Sequence, residues 1–446
     1  MKDPKVKTII DAEIKRQKQV INLIPSENYV SDDVREAVGS VFDNKYAEGY
    51  PGARYYGGNE QADQVELLCQ KRALDLFKLK ESDWHVNCQA HSGSPANMGV
   101  YLALVPHATF DAEGAVISRP GKIMGMNLNS GGHLTHGQKF SASGKFWQHI
   151  GYDVDPETEV MDYVALRKQA LKEKPNIIVA GFTAYPRVVD FAEFRKIADA
   201  CGALLMVDMS HLAGLVAGGA YPSPFPFADI VTTTTHKTLR GPRGALIFAK
   251  KNFVDVKGIL GKKNEVIDLG KRVDKAIFPG LQGGPHMSHI AGIAVALGEA
   301  NTPQFKKYAK QVIKNSKSFA QELMKLGWRV VSGGTDSHLL LIDTWMNGQV
   351  KTVVRKNAKG GKTAGKGGKV ETVTVGAIPG KVAEAALEKA GIICNKNTIP
   401  GETRSSFDPS GIRIGTPAET TRGKTEKDFV LIARKIDEVL RESRHI

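Results

Sequence analysis

The stretch Thr-Thr-Thr-Thr-His-Lys at 232–237, followed by Arg-Gly-Pro-Arg-Gly at 240–244, says most about the fold of this chain. It predicts a lysine held between the end of a polar strand and a glycine-rich turn. An amine held beside other cations or in a dry pocket loses its proton more easily and becomes a nucleophile toward carbonyl groups. We expect Arg240 and Arg243 to disfavour the ammonium form of Lys237. The pattern fits a Schiff-base lysine for pyridoxal phosphate, and the alternative is a solvated lysine beside a turn.

A second anchor lies upstream, where the apolar run at 203–207 ends in Asp208. The run predicts a buried parallel strand with an acid at its carboxyl end. Because open α/β sheets bind ligands outside the carboxyl ends of their strands, we expect Asp208 and Lys237 to face one crevice. A carboxylate there can keep a pyridine nitrogen protonated, which makes the cofactor ring an electron sink. The alternative for Asp208 alone is a helix N-cap ahead of residues 209–211.

Length and composition indicate a globular protein with more than one domain. The chain has 446 residues, of which 41% are hydrophobic and 24% charged, as in ordinary globular proteins. Its apolar runs fall short of the roughly 20 residues of a membrane span, and its first residues lack the apolar core of a secretory signal. We therefore expect a cytoplasmic protein. The 4 cysteines are scattered, which argues against a disulfide framework or a zinc knuckle.

The formal net charge of +14 suggests nucleic-acid binding at first. Lysines and arginines, however, crowd into 351–369, a glycine-rich, low-complexity stretch that predicts a solvated insertion. Gly-Lys-Thr at 361–363 matches part of a phosphate-binding loop, but Lys356 occupies the position of the required upstream glycine. We therefore do not expect a nucleic-acid partner, and an RNA-binding protein remains the rival hypothesis from another class.

Strand-like and helix-like segments alternate along most of the chain. The predicted strands are 177–181, 203–208, 229–234 and 245–249, and the helices between and before them include 63–77 and 190–201. This alternation is typical of a doubly wound, mostly parallel sheet. A long helix at 303–327 leads to a second unit with strands at 328–331 and 339–343. We predict a helical arm at 1–24 built on an amphipathic helix at 8–21, a large domain at 25–300, and a small domain at 301–446.

Three glycine-rich or aromatic segments predict contacts with a ligand. Residues 92–97 precede an apolar helix, and small residues at a helix N-terminus leave N–H groups and hydroxyls free for a phosphate; the alternative is a plain serine N-cap. Residues 278–285, Phe-Pro-Gly-Leu-Gln-Gly-Gly-Pro, offer a second bare-backbone approach to a phosphate. The loop at 45–61 is long and rich in tyrosine and glycine, which favours a functional role.

Two further motifs place reactive side chains among small residues. His133 and His136 lie in a glycine-rich loop, and their spacing would suit a metal, but no third ligand is evident. We interpret His133 as an aromatic ring that stacks on a flat cofactor. Arg413, in Gly-Ile-Arg-Ile-Gly at 411–415, is suited to hold a carboxylate through two hydrogen bonds. The alternative for Arg413 is a surface arginine in a salt bridge.

In this order the motifs closely resemble the serine hydroxymethyltransferases, enzymes of fold type I that depend on pyridoxal phosphate. The resemblance runs from Leu-Ile-Pro-Ser-Glu-Asn-Tyr at 23–29 to about Glu438. It implies an α/β fold with a large doubly wound, mostly parallel domain and a smaller α+β C-terminal domain. It also implies reversible conversion of L-serine and tetrahydrofolate to glycine and 5,10-methylenetetrahydrofolate, in a homodimer with shared active sites or a tetramer. The nearest alternative is a threonine aldolase-like enzyme without folate use.

The resemblance implies a role for each matching residue at the cofactor. The residues at the ring are Lys237 as the Schiff-base lysine, Asp208 at the pyridine nitrogen, His133 as the stacking ring, His211 near the phenolic oxygen, and Thr183, Thr234 and His236 lining the site. The residues at the phosphate are Gly93 and Ser94, with Tyr46 and Gly284 from a second subunit.

The resemblance also implies contacts with the two substrates. Ser26 and Arg413 would hold the serine carboxylate, Glu48 would transfer protons, and Tyr56 would supply a neighbouring hydroxyl. Leu128, Gly132 and Asn397 match positions that meet the pterin. The stretch at 351–369 and the extra length at 107–121 depart from the family pattern.

Overall fold

The computed structural model describes residues 2–345 and 377–443. The predicted basic insertion at 351–369 lies outside the described residues. Within the described part of the chain, no helix combines the length and apolarity that crossing a membrane requires.

The helices of the described residues are, in chain order, α1 (Pro4–Gln19), α2 (Asp32–Val38), α3 (Glu60–Phe77), α4 (Gly93–Leu104), α5 (Ala142–Phe146), α6 (Tyr163–Glu173), α7 (Phe191–Cys201), α8 (Ala213–Ala217), α9 (Leu269–Ile277), α10 (Met287–Ala300), α11 (Pro303–Lys325), α12 (Gly380–Lys389), α13 (Pro417–Thr421) and α14 (Glu426–Glu442).

The strands are β1 (Ile21–Asn22), β2 (Gly49–Tyr50), β3 (Ala53–Arg54), β4 (Trp84–Asn87), β5 (Thr109–Phe110), β6 (Val116–Ser118), β7 (Lys122–Met126), β8 (Gln148–Tyr152), β9 (Ile177–Gly181), β10 (Leu204–Asp208), β11 (Ile230–Thr234), β12 (Ala245–Lys250), β13 (Phe253–Asp255), β14 (Glu265–Ile267), β15 (Arg329–Val330), β16 (Leu339–Asp343), β17 (Ile392–Ile393), β18 (Asn395–Asn397) and β19 (Gly411–Gly415).

A 7-stranded sheet forms the centre of the large domain, with strand order β4-β12-β11-β10-β9-β7-β8. Strands β7 to β11 run parallel, and β12 runs antiparallel to both of its neighbours. The predicted fold class, with its mostly parallel sheet, is confirmed. In the register of the sheet Asp208 lies opposite Thr232, so the residues that follow β10 and β11 emerge side by side at one edge.

Helices cover both faces of this sheet, which explains why its central strands β9 and β10 are almost entirely apolar. Alternate residues of β10 point to opposite faces: Leu204 and Met206 join one core, and Leu205 and Val207 join another. A strand buried on both faces needs a continuous apolar run rather than an alternating pattern. The core of Leu204 and Met206 also contains residues of α4 and α9, and the core of Leu205 and Val207 contains residues of α3, α7 and α10.

The small domain is built on a 4-stranded antiparallel sheet with strand order β15-β16-β19-β18. Its core includes residues of α12, α14 and the second half of α11. The first half of α11, through Phe305 and Val312, packs in a core of the large domain instead. Helix α11 therefore joins the two cores, close to the bounds predicted for it at 303–327.

The predicted N-terminal helix begins earlier than expected and ends before Ile21. Asp3 caps α1 by accepting hydrogen bonds from the N–H groups of Lys5 and Val6, which explains the early start. Ile21 lies in β1 and pairs with Ile392 of the small domain, so the predicted inclusion of residues 20–21 was wrong. No residue of α1 is buried. Its packing against another subunit or domain stays a prediction.

Candidate active site

A cavity of about 400 Å³ opens beside the carboxyl ends of β10 and β11. It brings together eleven of the predicted site residues, namely Ser26, Gly93, Ser94, His133, Thr183, Asp208, His211, Thr234, His236, Lys237 and Arg413. We call this cavity the Lys237 pocket. It joins the large domain to the small one because Arg413 belongs to β19.

Lys237 enters the pocket three residues after the end of β11. Burial is the main cause that lowers the pKa of its amine to about 8; Asp208 opposes this shift, and Arg413 and Arg243 contribute to it. The amine forms no ion pair with any residue that the structure describes. A solvated surface lysine would keep an ordinary pKa, so the geometry favours the nucleophilic interpretation.

The expectation for the two neighbouring arginines was half right. Arg243 lines the pocket and acts on Lys237. The guanidinium of Arg240 lies 4.6 Å from the ring centre of Tyr308 and 5.2 Å from that of Phe305. Both rings belong to α11, and a guanidinium stacked on aromatic faces is stabilised there. Arg240 therefore serves the packing of α11 and not the pKa of Lys237.

Asp208 is a buried carboxylate surrounded by hydrogen-bond donors. One oxygen accepts from the Asn97 amide at 2.9 Å and lies 3.0 Å from Nε2 of His136. The other accepts from the hydroxyl of Ser210 at 2.6 Å and from its N–H at 3.1 Å. Burial opposes ionisation, but His136 and Ser210 outweigh it and hold the pKa of Asp208 well below its usual range. An ionised carboxylate is thus held in place for a positively charged ligand group.

The two histidines of the glycine-rich loop have different environments. His136 is fully buried and lies against Asp208, whereas His133 lines the pocket and has its Nδ1 2.7 Å from the hydroxyl of Thr135. Burial, reinforced by His136, lowers the pKa of His133 to about 4. His133 is therefore a neutral aromatic ring at neutral pH, as stacking on a flat ligand requires.

The N-terminus of α4 presents free hydrogen-bond donors to the pocket. Its N-cap residue, Ser92, makes no side-chain hydrogen bond to the helix, so the plain serine-cap alternative does not hold. A Cβ on Gly93 would lie 2.6 Å from Cγ2 of Thr234, and glycine alone fits this approach. The first N–H groups of a helix and the hydroxyl of Ser94 together suit an anion.

Arg413 reaches the pocket from the small domain. Its guanidinium donates to Oδ1 of Asn395 at 3.0 Å and to the carbonyl oxygen of Thr183 at 2.6 Å. No carboxylate of the described residues pairs with it, and burial lowers its pKa to about 10. A desolvated guanidinium with only neutral partners favours an anionic ligand over the surface salt bridge.

His211 meets a histidine that the sequence did not point to. Its Nδ1 lies 3.0 Å from Nε2 of His338, which precedes β16 of the small domain. Burial lowers the pKa of His211 well below its usual value, and the nearby Lys237 adds to the effect. His236 also has its pKa lowered, to about 3, by burial and by Lys237.

Four predicted residues form a separate group outside the Lys237 pocket. Tyr46, Glu48 and Tyr56 belong to residues 45–59, which we call the tyrosine loop, and Gly284 lies beside this loop. The rings of Tyr46 and Tyr56 meet edge to face with centroids 5.2 Å apart. The charge of Glu48 raises the pKa of Tyr46. A Cβ on Gly284 would lie 3.4 Å from the Tyr46 ring. These residues form a cluster of their own within the chain.

The three predicted pterin contacts lie next to residues of the pocket. Thr183, which lines the pocket, donates to the carbonyl oxygen of Gly132 at 3.0 Å. Leu128 begins a short 3₁₀ turn that leads to Gly132. A Cβ on Gly132 would lie 1.9 Å from the carbonyl oxygen of Met126, so tight backbone packing alone requires this glycine. Asn397 shares β18 with Asn395, the partner of Arg413.

Sequence reasoning missed several residues that shape the pocket, namely Asn97, His136, Ser210, His338 and Asn395. His136 and Ser210 lay inside quoted motifs, and their polar side chains beside Asp208 were a usable signal. His338 gave no local signal, since it meets His211 only when the two domains pack. Asn395 meets Arg413 only through the pairing of β18 with β19, which the sequence did not show. In the described ranges no group of three histidine, cysteine, aspartate or glutamate residues is placed to hold a metal ion.

The chain matches known proteins along nearly its whole length. The family model for serine hydroxymethyltransferase matches residues 1–359 and 370–436, and so passes over 360–369, part of the predicted insertion. The serine hydroxymethyltransferase of Desulfotalea psychrophila is 47% identical over 98% of this chain and 88% of its own length. The cytosolic serine hydroxymethyltransferases of Candida glabrata and Saccharomyces cerevisiae are 46% and 44% identical, over 98% and 100% of this chain and 86% and 87% of their own lengths. The chain belongs to the serine hydroxymethyltransferase family.

Proposed function

We propose that the Lys237 pocket is where this chain carries out the reaction of its family. The chain is a pyridoxal-phosphate-dependent glycine hydroxymethyltransferase, a one-carbon transferase that interconverts L-serine and tetrahydrofolate with glycine and 5,10-methylenetetrahydrofolate. The observation that carries the placement is an amine with a pKa of about 8 in the same pocket as an ionised carboxylate. Lys237 forms no ion pair with any described residue, and Asp208 lies 3.0 Å from Nε2 of His136.

The residues of the pocket fit pyridoxal phosphate at each of its polar groups. Lys237 offers a free amine for the aldehyde, Asp208 offers an ionised carboxylate for the ring nitrogen, and the uncapped start of α4 with Ser94 offers donors for the phosphate. When bound, the cofactor supplies an aromatic ring that takes up the electron pair released as the serine Cα–Cβ bond breaks.

Lys237 acts through its neutral amine. With a pKa of about 8, a fraction of the amine is unprotonated at neutral pH, and this neutral amine would be the nucleophile that holds the cofactor. Asp208 stays ionised and keeps a proton on the ring nitrogen. Thr183, Thr234 and His236 complete the walls around the ring.

Arg413 and Ser26 orient the amino acid substrate. A guanidinium can hold a carboxylate through two parallel hydrogen bonds, which fixes direction as well as position. The guanidinium of Arg413 already donates to Thr183 and Asn395, so its plane is set before substrate arrives. Preorganisation of this kind lowers the entropy lost on binding.

We place Glu48, Tyr56, Tyr46 and Gly284 in the active site of a partner copy. In this chain they form the cluster of the tyrosine loop and do not line its pocket. The rings of Tyr46 and Tyr56 are 56% and 45% exposed, which supports burial against another subunit. In the homodimer Glu48 would move protons at the substrate hydroxyl or at folate, and Tyr46 and Gly284 would reach the phosphate.

Leu128, Gly132 and Asn397 are the proposed pterin contacts. Their support is adjacency: Gly132 precedes His133 and accepts from Thr183, and Asn397 lies two residues along β18 from Asn395, the partner of Arg413. We also keep the proposed division at 1–24, 25–300 and 301–446, which the separate cores on either side of α11 support. The cytosolic yeast relatives support a cytoplasmic location.

The test is formation of glycine from serine by the purified holoenzyme, with and without tetrahydrofolate. We expect turnover that depends strongly on tetrahydrofolate and is lost in Lys237→Ala. Equal turnover without folate would favour the threonine aldolase-like alternative. Full turnover by Lys237→Ala would overturn the placement of the reaction in this pocket.

A further inference from the structure

His211 and His338 form a buried contact between the large and small domains. Nδ1 of His211 lies 3.0 Å from Nε2 of His338, and the two side chains are 3% and 0% exposed. Each backbone is anchored: the carbonyl of His211 accepts from the hydroxyl of Thr238 at 2.9 Å, and that of His338 accepts from the N–H of Thr416 at 3.0 Å. The geometry of the pair is therefore fixed by both domains.

The hydrogen bond between the two rings contains a single proton, and the surroundings of His338 indicate which ring donates it. Nδ1 of His338 is buried and has no hydrogen-bond partner among the described residues. If His211 donated the shared proton, neutral His338 would carry its own proton on Nδ1, as a buried N–H without an acceptor. If His338 donates from Nε2, its Nδ1 is a bare lone pair. Orphaned buried N–H groups are rarer than orphaned acceptors, so His338 is the donor.

Both rings are neutral at neutral pH, so each ring carries one proton. Burial lowers the pKa of His338 to about 3, with Arg413 and Lys237 adding to the effect. The pKa of His211 is lowered by burial and by the same two cations. A doubly protonated ring would have to remain charged beside both Lys237 and Arg413.

We propose that His338 is a positioning residue that fixes His211 in the tautomer with its proton on Nε2. His211 lines the Lys237 pocket, and its Nδ1 is used by His338, so Nε2 is the nitrogen left for a ligand. His211 is then a hydrogen-bond donor to that ligand. This part rests on the proposed function, in which His211 faces the phenolic oxygen of the cofactor. Because His338 belongs to the small domain, packing of that domain against the large one determines that Nε2 of His211 is a hydrogen-bond donor.

The direct test is the tautomer of His211 in holoenzyme labelled with [¹⁵N]histidine. Two-bond ¹H–¹⁵N correlation spectra distinguish the two neutral tautomers, and His211→Asn assigns the signal. We expect the Nε2–H pattern in the unmodified protein. An Nδ1–H pattern would overturn the proposal, whatever the variants below do.

Two substitutions separate a positioning role from a merely structural one. His338→Gln keeps an N–H donor near the position of Nε2, and His338→Phe fills the space without a donor. We expect His338→Gln to keep the His211 tautomer and the pH midpoint of the cofactor's visible absorbance. We expect His338→Phe to lose the Nε2–H pattern and to shift that midpoint.

The alternative outcomes remain distinguishable. Equal behaviour of the two variants would contradict the proposal, since size alone would then explain the site. If the cofactor-free protein shows the expected tautomer but takes up no pyridoxal phosphate, the proposed function fails and the role of His338 stands. If the cofactor binds and His211 shows the other tautomer, the role of His338 fails and the proposed function stands.

Discussion

The Lys237 pocket and the tyrosine loop contain residues assigned to one reaction, but their side chains differ in burial and in how they are held. In the pocket Asp208 and Arg413 are held by hydrogen bonds to distant parts of the same chain. In the tyrosine loop Tyr46 and Tyr56 contact each other and stay about half exposed. Groups held by buried bonds have fixed positions in one chain, whereas exposed aromatic clusters mark a surface for a partner. A single chain thus brings together the groups proposed for the cofactor ring, and the contacts proposed for Tyr46 and Gly284 require a partner copy.

The largest effect that we expect in the pocket comes from Lys237→Ala. Turnover should fall by on the order of a thousandfold or more, as when other catalytic nucleophiles are removed, and the visible absorbance of bound cofactor should disappear. Steady-state kinetics and the absorption spectrum measure both. Lys168→Ala, at an exposed lysine of α6, is the control and should behave like the unmodified protein. A Lys237→Ala enzyme with normal colour would contradict the assignment.

The next largest effect should follow from Arg413→Ala. Losing two charge-assisted hydrogen bonds to the substrate carboxylate should raise the KM for serine roughly 100-fold. Arg413→Lys should recover only part of this, since an ammonium cannot form the two-pronged contact. The control is Arg434→Ala on α14, whose guanidinium pairs with Glu322 at the surface. An unchanged KM would place the carboxylate elsewhere.

The pH dependence of cofactor uptake probes Lys237 without substrate. The pKa of about 8 means that the reactive neutral amine becomes scarcer as the pH falls below that value. The rate of covalent attachment to the cofactor-free protein should therefore rise about tenfold per pH unit up to pH 8 and level off above it. Stopped-flow absorbance across pH 6–10 measures this. A rate that keeps rising to pH 10 would mean an ordinary lysine.

A smaller effect is expected from Ser210→Ala, which removes one support of Asp208. The hydroxyl donates to Asp208 at 2.6 Å and accepts from the N–H of Thr234 at 3.0 Å. Loss of one hydrogen bond to a charged group should weaken cofactor affinity about tenfold. Equilibrium titration of the cofactor-free protein measures it. Ser410→Ala is the matched control, because this buried serine donates to Glu402 outside the pocket.

The tyrosine loop can be tested by mixing inactive chains. Lys237→Ala and Glu48→Gln should each be inactive alone, but coexpressed they should recover on the order of a quarter of full activity, since half the dimers are mixed and each has one intact site. Lys237→Ala with Arg413→Ala is the control pair, and because both residues belong to one pocket it should recover nothing. Absence of recovery in the first pair would place Glu48 in its own chain's site.

The sequence predicted strands β9 to β12 of the large sheet because each contains a buried apolar run, and it did not predict β4, β7 and β8. Asp208 could be found because it ends such a run, and Lys237 because a polar stretch and a glycine-rich turn enclose it. Arg240 was misjudged because its aromatic partners, Tyr308 and Phe305, belong to α11, far away in the sequence. His338 could not be found because its side-chain hydrogen bond with His211 crosses the domain boundary. Local patterns reveal strand ends, and they do not reveal which remote group completes a pocket.

The roles of Tyr46, Glu48 and Gly284 came from family resemblance and not from any local pattern. In this chain the three residues do not line the Lys237 pocket. The mixing experiment is therefore the proper test for them.

The most direct test of the central claim is to find where the cofactor attaches. Borohydride reduction of the holoenzyme makes the bond between lysine and cofactor permanent, and peptide mapping by mass spectrometry then locates it. The account predicts the added pyridoxyl phosphate mass on Lys237 alone. The same mass on a different lysine, or on none, would contradict it.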